Sequence, residues 1–316
     1  MKRHPRITAI LVICVILTSC GAPTPAPTTG LITPVPIPTT STDSKTLVLG
    51  MVSSDPAKLL TRAQPLVDYL AAGLGKFGIR TGEVKVALDP PGMARLMKAG
   101  EVDLAVDSPY PAMVVGDQAN ARLILRAWKD GVGEYHSVIF TRADSGIHSL
   151  SELNGHMIGL EEAFSTSGYL LPLTTLRKAN LKPVKKPDSA YPVAADEIGY
   201  VFTTKSGGDA SNTLEWVLNK KVVAGAADHV FFSQIPEGTR AQLTVLAETE
   251  SIARQVVIAR PNLDPALLQA IKALLVDMDK SSQGQDVLKT FAKTSKFDEL
   301  PSEELAHIQA LYKLAR

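Results

Sequence analysis

MIGLEEAFSTSGYLLPLTTL, residues 157–176, is the stretch whose reading decides the fold of this chain. Met157-Ile158-Gly159-Leu160 reads as a short apolar strand, and Tyr169 through Leu176 as a helix. Between them lies Phe164-Ser165-Thr166-Ser167-Gly168, three consecutive hydroxyls and a glycine at a strand-to-helix junction. Such a junction offers side-chain donors, free backbone N–H groups and the positive end of a helix dipole, which together can hold an anion. One serine acting as an N-cap is the plainer reading, although a cap needs only one such residue.

Outward from this unit, strands and helices alternate, which argues for an α/β architecture. Residues 46–50 form a first strand that ends in the loop 51–56. A helix follows with Leu66, Tyr69 or Leu70, and Leu74 at helical spacing, stopped near Gly75 to Gly78. Residues 84–88 are a second strand, 93–99 a short helix ended by Gly100, and 102–106 a third strand. Residues 137–141 are a strand leading into a turn, and Ser149-x-x-Glu152 reads as the capping box of a further helix. Near the C-terminus, 243–247 and 256–259 are strands, while 264–278 and 303–314 are amphipathic helices expected to pack on the first lobe.

An internal repeat links the two halves. Met93 to Asp107 aligns with Leu214 to Asp228 at an offset of 121 residues, pairing Val102 with Val223, Ala105 with Ala226 and Asp107 with Asp228. Each unit puts an aspartate at the carboxyl end of an apolar strand, where open α/β sheets bind ligands. If each unit belongs to one lobe, the two aspartates face a shared cleft. Chance similarity between two helix–strand units is the competing explanation, and Asp107 also suits a capped turn before Pro109.

The N-terminus places the chain outside the cytoplasm. Lys2, Arg3 and Arg6 precede an apolar run, 7–17, too short to span a bilayer. Leu17-Thr18-Ser19-Cys20 then matches a bacterial lipobox, with lipid attachment expected at Cys20. An ordinary secretory signal with an incidental cysteine is the alternative. From 21 to 44 the chain is rich in Pro, Thr and Ser, a composition suited to an extended spacer. Cys14 leaves with the signal, so no disulfide is expected. The mature chain carries 30 Lys and Arg against 32 Asp and Glu, a net charge of −2 with no basic patch, which argues against nucleic acid as a partner. No HExxH, CxxC or spaced histidine cluster indicates a metal, and Ser165 lacks the GxSxG context of a nucleophile. No cofactor and no catalysis are expected.

Four stretches resemble the phosphate, phosphite and phosphonate periplasmic-binding proteins of ABC importers. They are Glu101–Ala105 with Ser108-Pro109-Tyr110-Pro111-Ala112; Tyr135–Ile139 with Arg142–Ile147; Phe164–Gly168 with Pro172; and Gly208–Ser211 through Ala224–Asp228. The resemblance implies an α/β, two-lobed, type II Venus-flytrap fold with a hinged cleft between two mixed sheets. It implies a monomer that closes on a small oxyanion and serves an ABC permease and ATPase, tethered to the membrane by its lipid. The expected organisation is a signal peptide over 1–19, lipidated cysteine and linker over 20–44, lobe 1 over 45–140 and 248–316, and lobe 2 over 141–247.

For the site, the resemblance implies that the hydroxyls and amides of Ser165, Thr166, Ser167 and Gly168 hold the ligand oxygens. Tyr135 donates from the other side, and Asp209 or Asp228 accepts from a protonated oxygen. Tyr110 and Asp107 are further candidates, and His136 is expected to turn away from the pocket if Tyr135 turns in. Two features depart from the family pattern. Gly207-Gly208 stands where phosphonate binders often carry a histidine, and Asp107 stands where several have an uncharged residue. A carboxylate about 4 Å from a dianion costs roughly 4 kcal/mol at an effective dielectric near 20. The ligand is therefore expected to be a monoprotonated phosphonate, or a zwitterion such as an aminoalkylphosphonate whose ammonium meets Asp107.

Overall fold

The computed structural model describes residues 45–53, 56–204 and 209–316. The lipobox with Cys20, the linker, and the Gly207-Gly208 pair lie outside these residues. The first elements are β1 (Lys45–Val52), α1 (Pro56–Gly73), β2 (Ile79–Ala87), α2 (Pro90–Lys98), β3 (Leu104–Asp107), α3 (Pro109–Ala119) and β4 (Arg122–Lys129). After them come β5 (Glu134–Tyr135), β6 (Ser137–Arg142), β7 (Met157–Leu160), α4 (Leu171–Lys178), β8 (Pro183–Lys185) and β9 (Ile198–Phe202). The chain continues through α5 (Ala210–Leu218), β10 (Ala224–Asp228), α6 (His229–Gln234), α7 (Glu237–Arg240) and β11 (Leu243–Glu248). It ends with β12 (Ile252–Ala253), β13 (Gln255–Ala259), α8 (Pro265–Val276), α9 (Ser282–Thr290), β14 (Thr294–Glu299) and α10 (Ser302–Ala315).

Two six-stranded mixed sheets result, with strand orders β14-β4-β13-β3-β1-β2 and β11-β6-β10-β7-β9-β8. In each, consecutive βα units give a parallel portion, because a strand followed by a crossover helix returns in the same direction. Each sheet also takes in one antiparallel strand beside its aspartate-bearing strand. β13 runs against β3 with Val256 opposite Asp107, and β6 runs against β10 with Ser137 opposite Asp228. Both inserted strands leave the same small ladder, in which β5 pairs with β12 through Tyr135–Ile252 and Glu134–Ala253. That ladder is where the chain crosses between lobes.

A lobe change between residues 140 and 141 would cut through β6, which pairs with second-sheet strands along its whole length. We place the crossing at β5 and β12 instead. The expectation that the C-terminal helices pack on the first lobe is corrected for α10, which lies between lobes. Its Tyr312 hydroxyl donates to Asp117 of α3, while Arg177 of α4 donates to the Leu314 carbonyl. Glu304 accepts from the Ala253 amide of β12 at 2.6 Å.

The internal repeat is structural. Both α2 and α5 end in Schellman motifs, with Glu101 N–H bonded to Leu96 O and Lys221 N–H to Trp216 O, 120 residues apart. Gly100 supplies the left-handed residue of the first motif, and Lys220, with φ of 59°, supplies it in the second. The aspartates are 121 apart because β10 is five residues long and β3 four. In the second lobe, Gly159 and Gly225 are register partners on β7 and β10, and a Cβ on either would press on Thr213 or Thr203. Their absent side chains let α5 lie close on the sheet.

Two local expectations fail. Ser149 caps no helix: residues 151–153 make only a short 3₁₀ turn, and Glu152 accepts from the His148 amide at 2.7 Å. The Pro109-Tyr110-Pro111 segment, which the family resemblance implies to be a cleft loop, is the first turn of α3, where a proline lacks only an N–H that would be unpaired anyway.

Candidate functional site

Between the two lobes lies a cavity of about 510 Å³. The carboxyl ends of β3 and β10 bring Asp107 and Asp228 to it, as the repeat predicts, and the crossing ladder brings Tyr135. Asp209, Ser165, Thr166 and Ser167 line it from the second lobe.

The hydroxyl loop is shaped by Pro172. With no N–H, Pro172 cannot bond back to the Gly168 carbonyl, and that oxygen accepts instead from Glu161 N–H at 3.0 Å. The helix opens as a π-turn over Thr166–Leu170, in which Leu171 N–H reaches back to Thr166 O. Ser165 is the N-cap, accepting from Gly168 N–H at 2.9 Å while its own hydroxyl donates to Glu161 Oε2 at 2.8 Å. Both the Ser165 proton and the Gly168 amide are thus engaged within the protein.

Thr166 reaches across the cleft. Its Oγ1 donates to Ser108 Oγ at 3.0 Å and accepts from Tyr110 N–H at 2.9 Å, joining the start of α3 to the start of the π-turn. Ser167 is the hydroxyl left facing the Tyr135 hydroxyl, with Thr166 beside it. The backbone N–H groups of Thr166 and Ser167 have no hydrogen-bond partner among the described residues. Tyr135 is 2% exposed, and burial pushes its hydroxyl up to about 12, so it remains a donor at any ordinary pH.

Tyr110 is the clear departure from expectation. It does not line the cavity; its ring packs among Phe164, Tyr169 and Tyr312, with centroids 5.9–6.4 Å away. Its position in the first turn of α3 aims it at the helix–helix seam under α10. Gly168 is likewise behind the wall, with no room for a Cβ beside Glu161 and Ser165. His136 turns away from the cavity and stacks on His229 at 4.3 Å.

The aspartates play different local roles. Asp228 caps α6, its Oδ1 accepting from Val230 and Phe231 N–H at 3.0 and 3.1 Å. Asp209 caps α5 through Oδ1, which takes both the amide and the hydroxyl of Ser211. In both residues Oδ2 takes no protein donor among the described residues. Asp107 accepts from Ser108 N–H at 2.7 Å, and burial pushes its carboxyl up to about 7 against the pull of that bond and of Lys129. Burial likewise raises Glu161 to about 7, helped by Glu162, Asp228 and Asp209 and opposed by the Ser165 hydrogen bond.

Sequence reasoning passed over three wall residues, Lys129, Arg254 and Gln255. Lys129 ends β4 and its ammonium is held below its usual range, first by burial and then by Arg254. The signal was present in Ile252-Ala253-Arg254-Gln255-Val256-Val257, where two polar residues interrupt an apolar run at a strand start. No group of three His, Cys, Asp or Glu that could hold a metal occurs among the described residues, and no helix there is long and apolar enough to cross a membrane.

Known proteins resemble the chain along most of its length. The structure of XAC2383 from Xanthomonas citri, bound to chloride, superposes with a TM-score of 0.79 at 29% identity, covering 85% of this chain and 97% of that one. PhnD1 from Prochlorococcus marinus, in complex with methylphosphonate, gives 0.61 at 17% identity, covering 86% and 98%, and so shares the fold. The tetrathionate sensor histidine kinase TtrS of Salmonella typhimurium is 33% identical over 101 residues, 30% of this chain; the match spans only 17% of that relative's length. The sequence matches the family described as "ABC transporter, phosphonate, periplasmic substrate-binding protein" over residues 49–305. The chain therefore belongs to that family of non-enzymatic, extracytoplasmic solute-binding proteins of ABC transporters.

Proposed function

We propose that this protein is a lipid-anchored, monomeric binding protein that closes its two lobes on a phosphonate-like oxyanion and presents it to an ABC permease and ATPase. The observation that carries the reading is the convergence of four donors on one wall: the Ser167 hydroxyl, the Tyr135 hydroxyl, and the amides of Thr166 and Ser167, which have no hydrogen-bond partner among the described residues. Charge-assisted bonds to such donors contribute about 1.5–3 kcal/mol each, enough for micromolar binding after association costs. Lys129 and Arg254 supply positive charge to the same cavity, Arg254 from beside Tyr135.

A neutral Asp107 would donate its proton to a ligand oxygen, and an ionised one would accept a P–OH or pair with an ammonium group. Either way the complex holds one proton between them. Lipid attachment at Cys20 is supported by the lipobox, and a Cys20→Ser chain is expected to leave the membrane fraction.

Thermal shift of the full-length chain in detergent against phosphite, phosphate, methylphosphonate and 2-aminoethylphosphonate tests the reading. A ligand at about 100 times its Kd adds about 2.7 kcal/mol of stability. A melting curve unmoved by all four anions would sink it. The match to a tetrathionate sensor kinase favours a second reading, in which the same closure signals to a membrane kinase. Co-purification with a permease, or with a kinase, separates the two.

A further inference from the structure

Arg254 and Gln255 lie on the segment that leads from the crossing ladder into β13, and both line the cavity. Arg254 Nε and Gln255 Oε1 are buried and without a protein hydrogen-bond partner; Asn154 Oδ1 is the other such atom among the described residues. Buried polar groups in folded proteins are ordinarily paired, so an orphan donor beside an orphan acceptor on a cavity wall points to a ligand that supplies both partners.

The position of the pair is fixed. The Arg254 guanidinium lies over the Tyr135 ring, 4.4 Å from its centroid, and the Tyr135 hydroxyl meets Thr166 and Ser167. Arg254 is thereby held next to the oxyanion wall, and its backbone N–H is tied to Gly133 O at 2.8 Å. Lys129 adds a second positive charge to the cavity, favoured by Asp130, Asp228 and Asp107 and opposed by burial and by Arg254. Beside two cations, the acceptor end of the Gln255 amide is the end that is favoured.

We propose that Arg254 and Gln255 read the ligand as a pair: Arg254 Nε donates to an anionic oxygen, and Gln255 Oε1 accepts from an O–H or N–H on the same molecule. The preferred solute is then an oxyanion that carries its own hydrogen-bond donor. This inference rests on the oxyanion reading above.

Methylphosphonate, held at a pH where it is a monoanion, and methanesulfonate have the same shape and charge and differ by one P–OH hydrogen. Calorimetric titration of the full-length chain with each is expected to favour methylphosphonate by about tenfold or more. Gln255→Met, which removes the acceptor, should bring the two affinities within about threefold of each other. Arg254→Lys should weaken both by about tenfold or more while keeping their ratio. Equal wild-type affinities overturn the inference without any variant. So does a Gln255→Met chain that retains the full preference, or an Arg254→Lys chain that binds like wild type. A wild-type chain that binds neither probe overturns this inference, and the oxyanion reading falls with it only if the four-anion thermal shift is also flat.

Discussion

Replacing Asp107 with asparagine should remove one proton from the binding equilibrium. Asp107 lines the cavity, and its carboxyl titrates at about 7 because burial disfavours its charge. An ionised Asp107 about 4 Å from a bound anion would cost roughly 4 kcal/mol at an effective dielectric near 20. Protonating it first costs only about 1.4 kcal/mol for each pH unit above its pKa. Protonation is therefore the cheaper route over about three units, and affinity should fall about tenfold per unit above about pH 7 for this carboxyl.

Methanesulfonate is the right probe, because it stays a monoanion throughout and any slope belongs to the protein. Titrations of the full-length chain from about pH 6 to about pH 9 should show the wild-type Kd flat below 7 and rising above it. Asp107→Asn should lower that slope by one factor of about ten per unit, leaving what Glu161 contributes. Facing groups set the baseline: Lys129 favours the charged carboxylate and Glu162 the neutral acid. An Asp107→Asn chain with the wild-type slope, or a wild-type Kd that is flat through this range, would refute the reasoning.

Three further outcomes follow from the same geometry. Thr166→Val cuts the bonds to Ser108 Oγ and Tyr110 N–H. It should cost about 1–3 kcal/mol, read as a lower midpoint in urea unfolding. Gly168→Ala sets a Cβ 2.9 Å from Ser165 Oγ and against the Glu161 side chain. A loss of about 1–3 kcal/mol is expected, together with weaker anion binding, and an unchanged melting temperature would contradict it. Glu161→Gln tests pH-linked stability. The folded pKa of about 7 lies above the unfolded value near 4.3, so the native chain holds a proton that the unfolded chain releases between these values. That contribution is present below about pH 4 and is lost as pH rises toward 7. Relative to wild type, Glu161→Gln should therefore melt higher at about pH 8 than at about pH 5 by comparison, and an equal difference at both would count against it.

Some elements are legible in sequence because their signals are local. The apolar run of β7, the Gly100 stop after α2 and the aspartate-ended strands of the repeat each carry their own pattern, and each appears where expected. β4 and β14 were not anticipated. Charged residues break up both, as in Arg122-Leu123-Ile124-Leu125-Arg126, and Arg126 meets Asp298 at 2.9 Å where the two strands are register partners. Such a pairing joins residues 172 apart, which no local window contains.

The sequence by itself determined the architecture: the alternation of strand and helix, the repeated unit with its aspartates, and the hydroxyl loop before a helix. These depend on periodicity and on turn chemistry within a few residues. Tertiary structure alone decided which groups of that loop remain available. Ser165 is engaged by Glu161 and Gly168, Thr166 by Ser108 and Tyr110, and Tyr110 by an aromatic seam under α10. Tertiary structure likewise brought Lys129, Arg254 and Gln255 to the cavity together, because β4 and β13 are neighbours in the sheet though more than 120 residues apart in the chain. The physical reason is that a hydroxyl or a guanidinium has a fixed chemistry but no fixed partner. Which atoms it meets is set by packing between segments remote in sequence.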